Sequence, residues 1–93
     1  MNVSKLFTKY DDDYLEFEKI PIVERRHPRA DLCAMLYLHE KLDGDQNMIS
    51  SAEHDQIWLG FESFKKLTDE DVLYITRCGV RYDTETDSLC MWV

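Results

Sequence analysis

Glycine and proline are scarce in this chain, which has three glycines and two prolines in 93 residues. Flexible linkers and low-complexity segments are rich in these residues, so the composition excludes both. No apolar run reaches the roughly 18 residues that a membrane-spanning helix needs, and residues 1–10 lack the apolar stretch of a signal peptide. We therefore expect one intracellular, cytoplasmic domain that covers residues 1–93.

Cysteines are few, and their spacing is uninformative for metal binding. Cys33, Cys78 and Cys90 are odd in number, far apart and without a C-x-x-C pair. This pattern indicates neither a disulfide framework nor a zinc site. Because all three have apolar neighbours, we predict small buried side chains in a reducing compartment.

The histidines and acids offer little catalytic chemistry. No histidine pairs with a second His or Cys at the helical spacing that places two ligands on one face, and His39 is interpreted as a packed side chain. The acidic run 83–87 resembles the start of a calcium loop, but Ser88 stands where glycine is required. A small hydrolase or metal protein built around His54 and Asp55 is the least favoured alternative. We expect no cofactor and no enzymatic activity.

Negative charge is concentrated in the later part of the chain. Residues 1–30 carry six basic and six acidic side chains, whereas residues 31–93 carry five basic and thirteen acidic ones. The resulting net charge of −8 repels nucleic acids and anionic membranes and accelerates encounter with a basic protein surface. We predict a protein partner, with no direct binding to nucleic acid or membrane. A requirement for solubility alone would produce the same composition.

Two helices are predicted from apolar spacing and end signals. The first runs from about Arg29 to Leu42 and stops at Gly44. The second begins at Thr68, whose hydroxyl can cap it, and runs to about Cys78, with Gly79 as the left-handed closing residue. The predicted buried stripe of the first helix is Leu32, Met35, Leu36, His39 and Leu42, widened by Cys33, Tyr37 and Leu38.

The remaining segments predict a small sheet. Tyr14–Val23 is interpreted as a short edge strand, Ile49–Glu53 as a helical turn and Gln56–Phe61 as a central strand. Residues 80–82 and 89–93 flank a polar connection and predict a hairpin. The expected fold is α+β, with a mixed or antiparallel sheet of three to four strands and two helices packed on one face.

Carboxylates near the second helix and in the hairpin connection are the candidate contact residues. If residues 83–87 are extended, alternate side chains lie on one face about 6.6 Å apart. Such a surface would compete with a nucleic-acid backbone for the Lys and Arg side chains of a partner. The candidate partner-binding residues are Asp69, Glu70, Asp83, Glu85 and Asp87.

Four segments that together cover under half of the chain resemble small uncharacterised accessory proteins of tailed bacteriophages. The segments are His54–Leu59, Leu67–Leu73, Arg77–Val80 and Asp87–Val93. The resemblance implies a small, acidic, non-enzymatic protein. Many such proteins bind host defence or transcription proteins, as anti-CRISPR and anti-restriction proteins do, which would place this one in the host cytoplasm.

The leading hypothesis is a non-catalytic protein-binding module of phage type. It would inhibit or redirect a host defence or nucleic-acid-handling protein through its acidic surface. The alternative is a structural protein that forms homo-oligomers through an exposed strand edge, either Leu89–Val93 or Tyr14–Val23.

Overall fold

Two helices, two strands, a third helix and two further strands follow one another in the computed structural model, which describes residues 3–42, 49–60 and 62–92. The helices there are α1 (Val3–Lys9), α2 (Ala30–Lys41) and α3 (Asp69–Arg77). The strands are β1 (Ile49–Glu53), β2 (Gln56–Leu59), β3 (Val80–Asp83) and β4 (Ser88–Trp92), in the order β1-β2-β4-β3 with every neighbour antiparallel. The predicted α+β class is confirmed, and so are the central position of β2 and the hairpin of β3 and β4.

The two faces of the sheet have different environments. Side chains alternate between the faces along each strand, and those on one face enter a single hydrophobic core together with residues of all three helices. The strand residues of this core are Leu59, Val80, Leu89 and Met91, with Ile57 and Tyr82 packed against them. The opposite face carries a different set of side chains, and it forms the candidate site described below.

Helix α3 begins and ends as the sequence predicts. The Thr68 hydroxyl accepts a hydrogen bond from the Asp71 amide, and the Asp71 carboxylate accepts one from the Thr68 amide, so both sides of a capping box are formed. Gly79 closes the helix with a φ of +100°, a conformation that glycine adopts without steric cost. The chain then reverses into β3.

Helix α2 has the predicted bounds to within one residue, but its buried stripe is only partly as predicted. Leu32 and Leu36 are 43% and 47% exposed, and His39 is exposed rather than packed. The buried residues are Cys33, Tyr37, Leu38 and Leu42, as predicted, together with Ala34. Apolar residues occur on most sides of this helix, so their spacing alone does not choose the inward face. The predicted stop at Gly44 lies outside the described residues.

A pair of stacked tyrosines fixes the orientation of α2. The rings of Tyr37 on α2 and Tyr74 on α3 stack with centroids 3.9 Å apart and planes at 16°. The Tyr37 hydroxyl donates to Asp71 at 2.6 Å, and the Tyr74 hydroxyl lies 3.1 Å from the Cys33 thiol. Stacking and hydrogen bonding therefore act on the same pair of helices. Cys33, Cys78 and Cys90 are all buried, as predicted.

Helix α1 is a missed element. No secondary structure was predicted for residues 3–9, yet Val3, Leu6 and Phe7 are buried in a helix. Their spacing of three and four residues is that of a helix face. A helix of 7 residues gains little from local propensity and depends on packing, which explains why sequence reasoning overlooked it.

The predicted edge strand Tyr14–Val23 is wrong. This segment contains two short 3₁₀ turns, Phe17–Lys19 and Ile22–Glu24, joined through Pro21. The Arg25 side chain donates to the carbonyl groups of Phe17, Glu18 and Ile20. These side-chain bonds take the place of the hydrogen bonds that a neighbouring strand would supply.

The predicted helical turn at Ile49–Glu53 is also wrong, because these residues form β1 and pair with β2. The polar composition of this strand fits an edge position with side chains exposed to water. Strand β4 lies between β2 and β3 and is paired on both sides. The alternative hypothesis of a homo-oligomer joined through an exposed edge at residues 89–93 is therefore wrong for the described residues 89–92. No helix among the described ranges is long and apolar enough to cross a bilayer.

We predict that Tyr37→Phe destabilises the fold by about 1 to 3 kcal/mol, because the buried Asp71 oxygen that accepts from the Tyr37 hydroxyl is left without a donor. The matched control is Tyr10→Phe, which removes an exposed hydroxyl contact to Asp69 and should change stability by less than about 0.5 kcal/mol. Urea denaturation of the three proteins measures the difference. Equal stabilities of the two variants at neutral pH would contradict the assignment.

The effect of Tyr37→Phe should also depend on pH. Burial raises the pKa of Asp71, but the hydrogen bonds from Tyr37 and Thr68 lower it by more, so the net shift is downward. A lowered folded pKa contributes stability above the unfolded pKa, and this stability is lost as the pH falls through the folded pKa. The difference between wild type and Tyr37→Phe should therefore shrink between about pH 5 and about pH 2.

Candidate protein-binding surface

The face of the sheet opposite the core carries polar and aromatic side chains, and we call it the open face. Strand register places nine side chains there: Ser51, Glu53, Gln56, Trp58, Arg81, Asp83, Ser88, Cys90 and Trp92. Trp92 is 49% exposed, which is unusual for the largest apolar side chain in a small protein. None of these nine residues belongs to the core cluster.

Trp58, Arg81 and Trp92 surround Cys90 at the centre of the open face. The Arg81 guanidinium lies 4.4 Å from the Trp92 ring centroid, within the range of a cation–π contact. Trp58 and Arg81 are the cross-strand neighbours of Cys90, which is only 1% exposed. Burial raises the pKa of the Cys90 thiol, so it stays protonated and acts as an apolar residue.

Asp83 links this aromatic group to the acidic hairpin. Its carboxylate accepts a hydrogen bond from the Trp58 indole at 2.8 Å and another from the Glu85 amide at 2.9 Å. Because these donors favour the ionised form, they lower the pKa of Asp83, with Trp58 as the larger cause. Asp83 therefore remains charged at the end of the open face where β3 enters the turn.

The predicted row of Asp83, Glu85 and Asp87 is not formed. Residues 84–87 form a turn rather than an extended segment, and Asp87 has a φ of +51°. Lys65 contacts the Asp87 carboxylate at 2.8 Å, and the Tyr82 hydroxyl also donates to it. Both contacts lower the pKa of Asp87, and Lys65 has the larger effect.

The other two candidate acids lie at the beginning of α3. Asp69 contacts the Lys9 ammonium and the Tyr10 hydroxyl, each at 3.3 Å. Glu70 is exposed and makes no hydrogen bond or ion pair with another described residue. The turn at Glu62–Lys66 precedes α3 and contacts the hairpin through Lys65 and Asp87. The acids at the beginning of α3 and those of the hairpin therefore lie at one end of the molecule.

The five predicted acids therefore differ in what they offer a partner. Asp69 and Asp87 are paired with lysines within the chain. Glu70 and Glu85 are exposed and have no ion-pair partner among the described side chains. Exposed ion pairs such as Lys9–Asp69 and Lys65–Asp87 contribute roughly 0 to 1 kcal/mol each to stability. They can be exchanged for ion pairs with a partner protein. We call the end of the molecule that carries these five residues the acidic end. It combines two unpaired carboxylates with two that form only exposed ion pairs.

The alternative metal or hydrolase site gains no geometric support. His54 and Asp55 form the exposed turn between β1 and β2, at the opposite end of the sheet from the hairpin turn 84–87. Within residues 3–42, 49–60 and 62–92, no group of three or more His, Cys, Asp or Glu side chains is arranged to hold a metal ion.

Sequence reasoning missed Trp58, Arg81 and Trp92 as surface residues. Their positions could be found from strand alternation, because Arg81 and Asp83 alternate with the apolar Val80 and Tyr82. The two tryptophans lie in apolar runs, which do not indicate the face of the sheet that each side chain occupies. Only the pairing of β4 with both β2 and β3 brings the three side chains together.

Comparison of the chain with protein-family models, curated proteins and solved structures gives no match.

We predict that Trp58→Phe raises the pKa of Asp83 towards its ordinary value of about 3.9, because the indole N–H that favours the carboxylate is lost. The pKa is measured by NMR titration of the side-chain carboxyl carbon. Trp92→Phe is the matched control and should leave the Asp83 titration unchanged. Identical Asp83 titrations in wild type and Trp58→Phe would show that the indole does not hold the carboxylate.

Proposed function

We propose that this protein is a non-catalytic protein-binding module whose open face contacts a basic partner. The aromatic group of Trp58, Arg81 and Trp92 would form the centre of the contact. The acidic end, comprising Asp69, Glu70, Asp83, Glu85 and Asp87, would form its charged rim.

The observation that carries this proposal is the continuity between aromatic and acidic residues. The Trp58–Asp83 hydrogen bond joins the centre of the open face to the hairpin that carries Glu85. Protein interfaces are commonly built in this way, with Trp, Tyr and Arg in a central patch and polar or charged residues around it. An exposed tryptophan already positioned by Arg81 loses little side-chain entropy on binding.

The charge distribution supports a basic partner. Rim carboxylates mainly increase the association rate and its dependence on salt, whereas central aromatic residues mainly slow dissociation. Host proteins that handle nucleic acids present lysine and arginine surfaces of the required sign. With the resemblance to phage accessory proteins, this favours a host defence or nucleic-acid-handling protein as the target to be inhibited or redirected.

The test is capture of partners from bacterial lysate by the tagged protein, with washes at low and high salt and mass spectrometry of the bound proteins. We expect one partner, released at high salt. Trp92→Ala should weaken its binding by about 2 kcal/mol or roughly 30-fold, mainly through faster dissociation. Glu70→Lys combined with Glu85→Lys should slow association about tenfold at low salt and flatten its salt dependence.

Glu24→Lys is the matched charge control. Glu24 is exposed on the helical side of the molecule, where its backbone carbonyl, rather than its side chain, accepts from Tyr74. This variant should bind the partner with nearly the wild-type rate constants. The proposal fails if Trp92→Ala and the double charge reversal bind as wild type does. Elution of the bait as a multimer with no partner would favour the assembly alternative, for which β1 and β3 provide the edges.

A further inference from the structure

A groove of about 560 Å³ lies along the free edge of the sheet, between α1 and β3. We call it the edge groove. Residues from α1, from the end of α3 and from β3 line it, including Ser4, Lys5, Thr8, Thr76, Arg81 and Tyr82. It is distinct from the open face, although Arg81 borders both.

The backbone of β3 is available on the side that faces this groove. Strand β3 pairs with β4 on its inner side, and no described residue pairs with its outer side. In an antiparallel strand, about half of the N–H and C=O groups point away from the paired neighbour. A helix beside such an edge leaves a slot for an extended segment, which can add to the sheet as a further strand.

Two residues that line the groove carry buried polar atoms that lack a hydrogen bond within the described chain. Thr76 is 2% exposed, and its hydroxyl oxygen is buried without a hydrogen bond. The Nε and one terminal nitrogen of Arg81 are also buried without an acceptor. Unpaired buried groups of this kind are costly and uncommon in folded proteins. A ligand that supplies an acceptor would remove part of that cost.

The charge lining the groove is opposite in sign to that of the whole protein. Lys5 and Arg81 line it and form no salt bridge with a described carboxylate, and Asp11 is the acidic side chain in the lining. In a chain with a net charge of −8, an excess of positive charge in one groove indicates a negatively charged occupant. A carboxylate fits best, because it accepts hydrogen bonds from both guanidinium and ammonium groups.

We infer that the edge groove binds an extended peptide segment that adds to β3 as a fifth strand and places a carboxylate beside Lys5 and Arg81. This inference rests on the proposed function only in taking the occupant to be part of a protein partner. It assigns a second contact, separate from the open face, that recognises backbone and one negative charge.

The experiment uses two pools of pentapeptides with randomised Val, Ile, Thr and Tyr residues and acetylated N-termini. One pool ends in a free carboxylate and the other in an amide. Each is titrated to about 1 mM into the isotope-labelled full chain, and amide signals and hydrogen exchange are followed by NMR. We expect shifts at residues 80–84 and along α1, slower exchange of outward-facing β3 amides, and at least about tenfold weaker binding of the amide pool.

Two variants and one control test the residues. Lys5→Glu should weaken binding of the carboxylate pool about tenfold. Thr76→Val removes the unpaired hydroxyl without changing the side-chain shape, so it should keep the fold and weaken binding about fivefold. Lys66→Glu makes the same charge change at an exposed lysine outside the groove and should bind as wild type does.

Several results would overturn the inference. Three of them concern the peptides: equal binding of the two pools, NMR shifts confined to the open face, or no shift at the highest peptide concentration. The fourth is the same β3 shifts when protein concentration alone is raised, which would make a second copy of the chain the occupant. Failure of the proposed function is distinguishable, because it appears as unchanged partner capture by Trp92→Ala, whereas failure of this inference appears in the peptide titrations of the wild-type chain.

Discussion

One buried carboxylate joins the two halves of the helical layer. The Asp71 side chain completes the capping box with Thr68 through one oxygen and accepts from Tyr37 through the other. The first contact determines where α3 begins, and the second determines which side of α2 faces it. The Tyr37 ring that is held by Asp71 also stacks on Tyr74. The position of α2 therefore depends on Asp71, the residue that also caps the beginning of α3. Such coupled hydrogen bonds strengthen one another where water is excluded.

The position of α3 in turn determines the geometry of the binding surfaces. Gly79 reverses the chain from the end of α3 directly into β3, so the helix and the edge strand form one continuous unit. All described core residues of the strands lie on the helical side. The opposite face is left to Trp58, Arg81, Trp92 and the acidic hairpin, and the outer edge of β3 is left to the edge groove. Both proposed contacts follow from covering one face of a four-stranded sheet.

The fold was predictable where a local signal and its structural consequence coincide. Thr68 and Gly79 are such signals, and they gave the bounds of α3 correctly. The inward face of α2 was not predictable, because Leu32 and Leu36 match Cys33 and Tyr37 in apolar character, and the choice depends on the contact with Tyr74. The prediction for residues 14–23 failed for a different reason, since the carbonyls that a strand would pair accept from the side chain of Arg25, five to eight residues further along the chain.

The sequence indicates the charge of the candidate contact residues but not their arrangement. The acids at Asp69, Glu70, Asp83, Glu85 and Asp87 were identified from composition and position, and topology places both groups at one end. Their individual roles depend on contacts with Lys9, Lys65 and Trp58, which are far away in sequence. The open face could not be identified without strand order, because it exists only when β4 lies between β2 and β3.

The central claim is that a partner covers the open face. Hydroxyl-radical footprinting of the protein, alone and in complex with a captured partner, tests it most directly. The account predicts strong protection of Trp92 on binding, with Leu32 and Leu36 on the outer side of α2 labelled as in the unbound protein. Unchanged labelling of Trp92 together with protection of Leu32 and Leu36 would contradict it and would place the contact on the helical side.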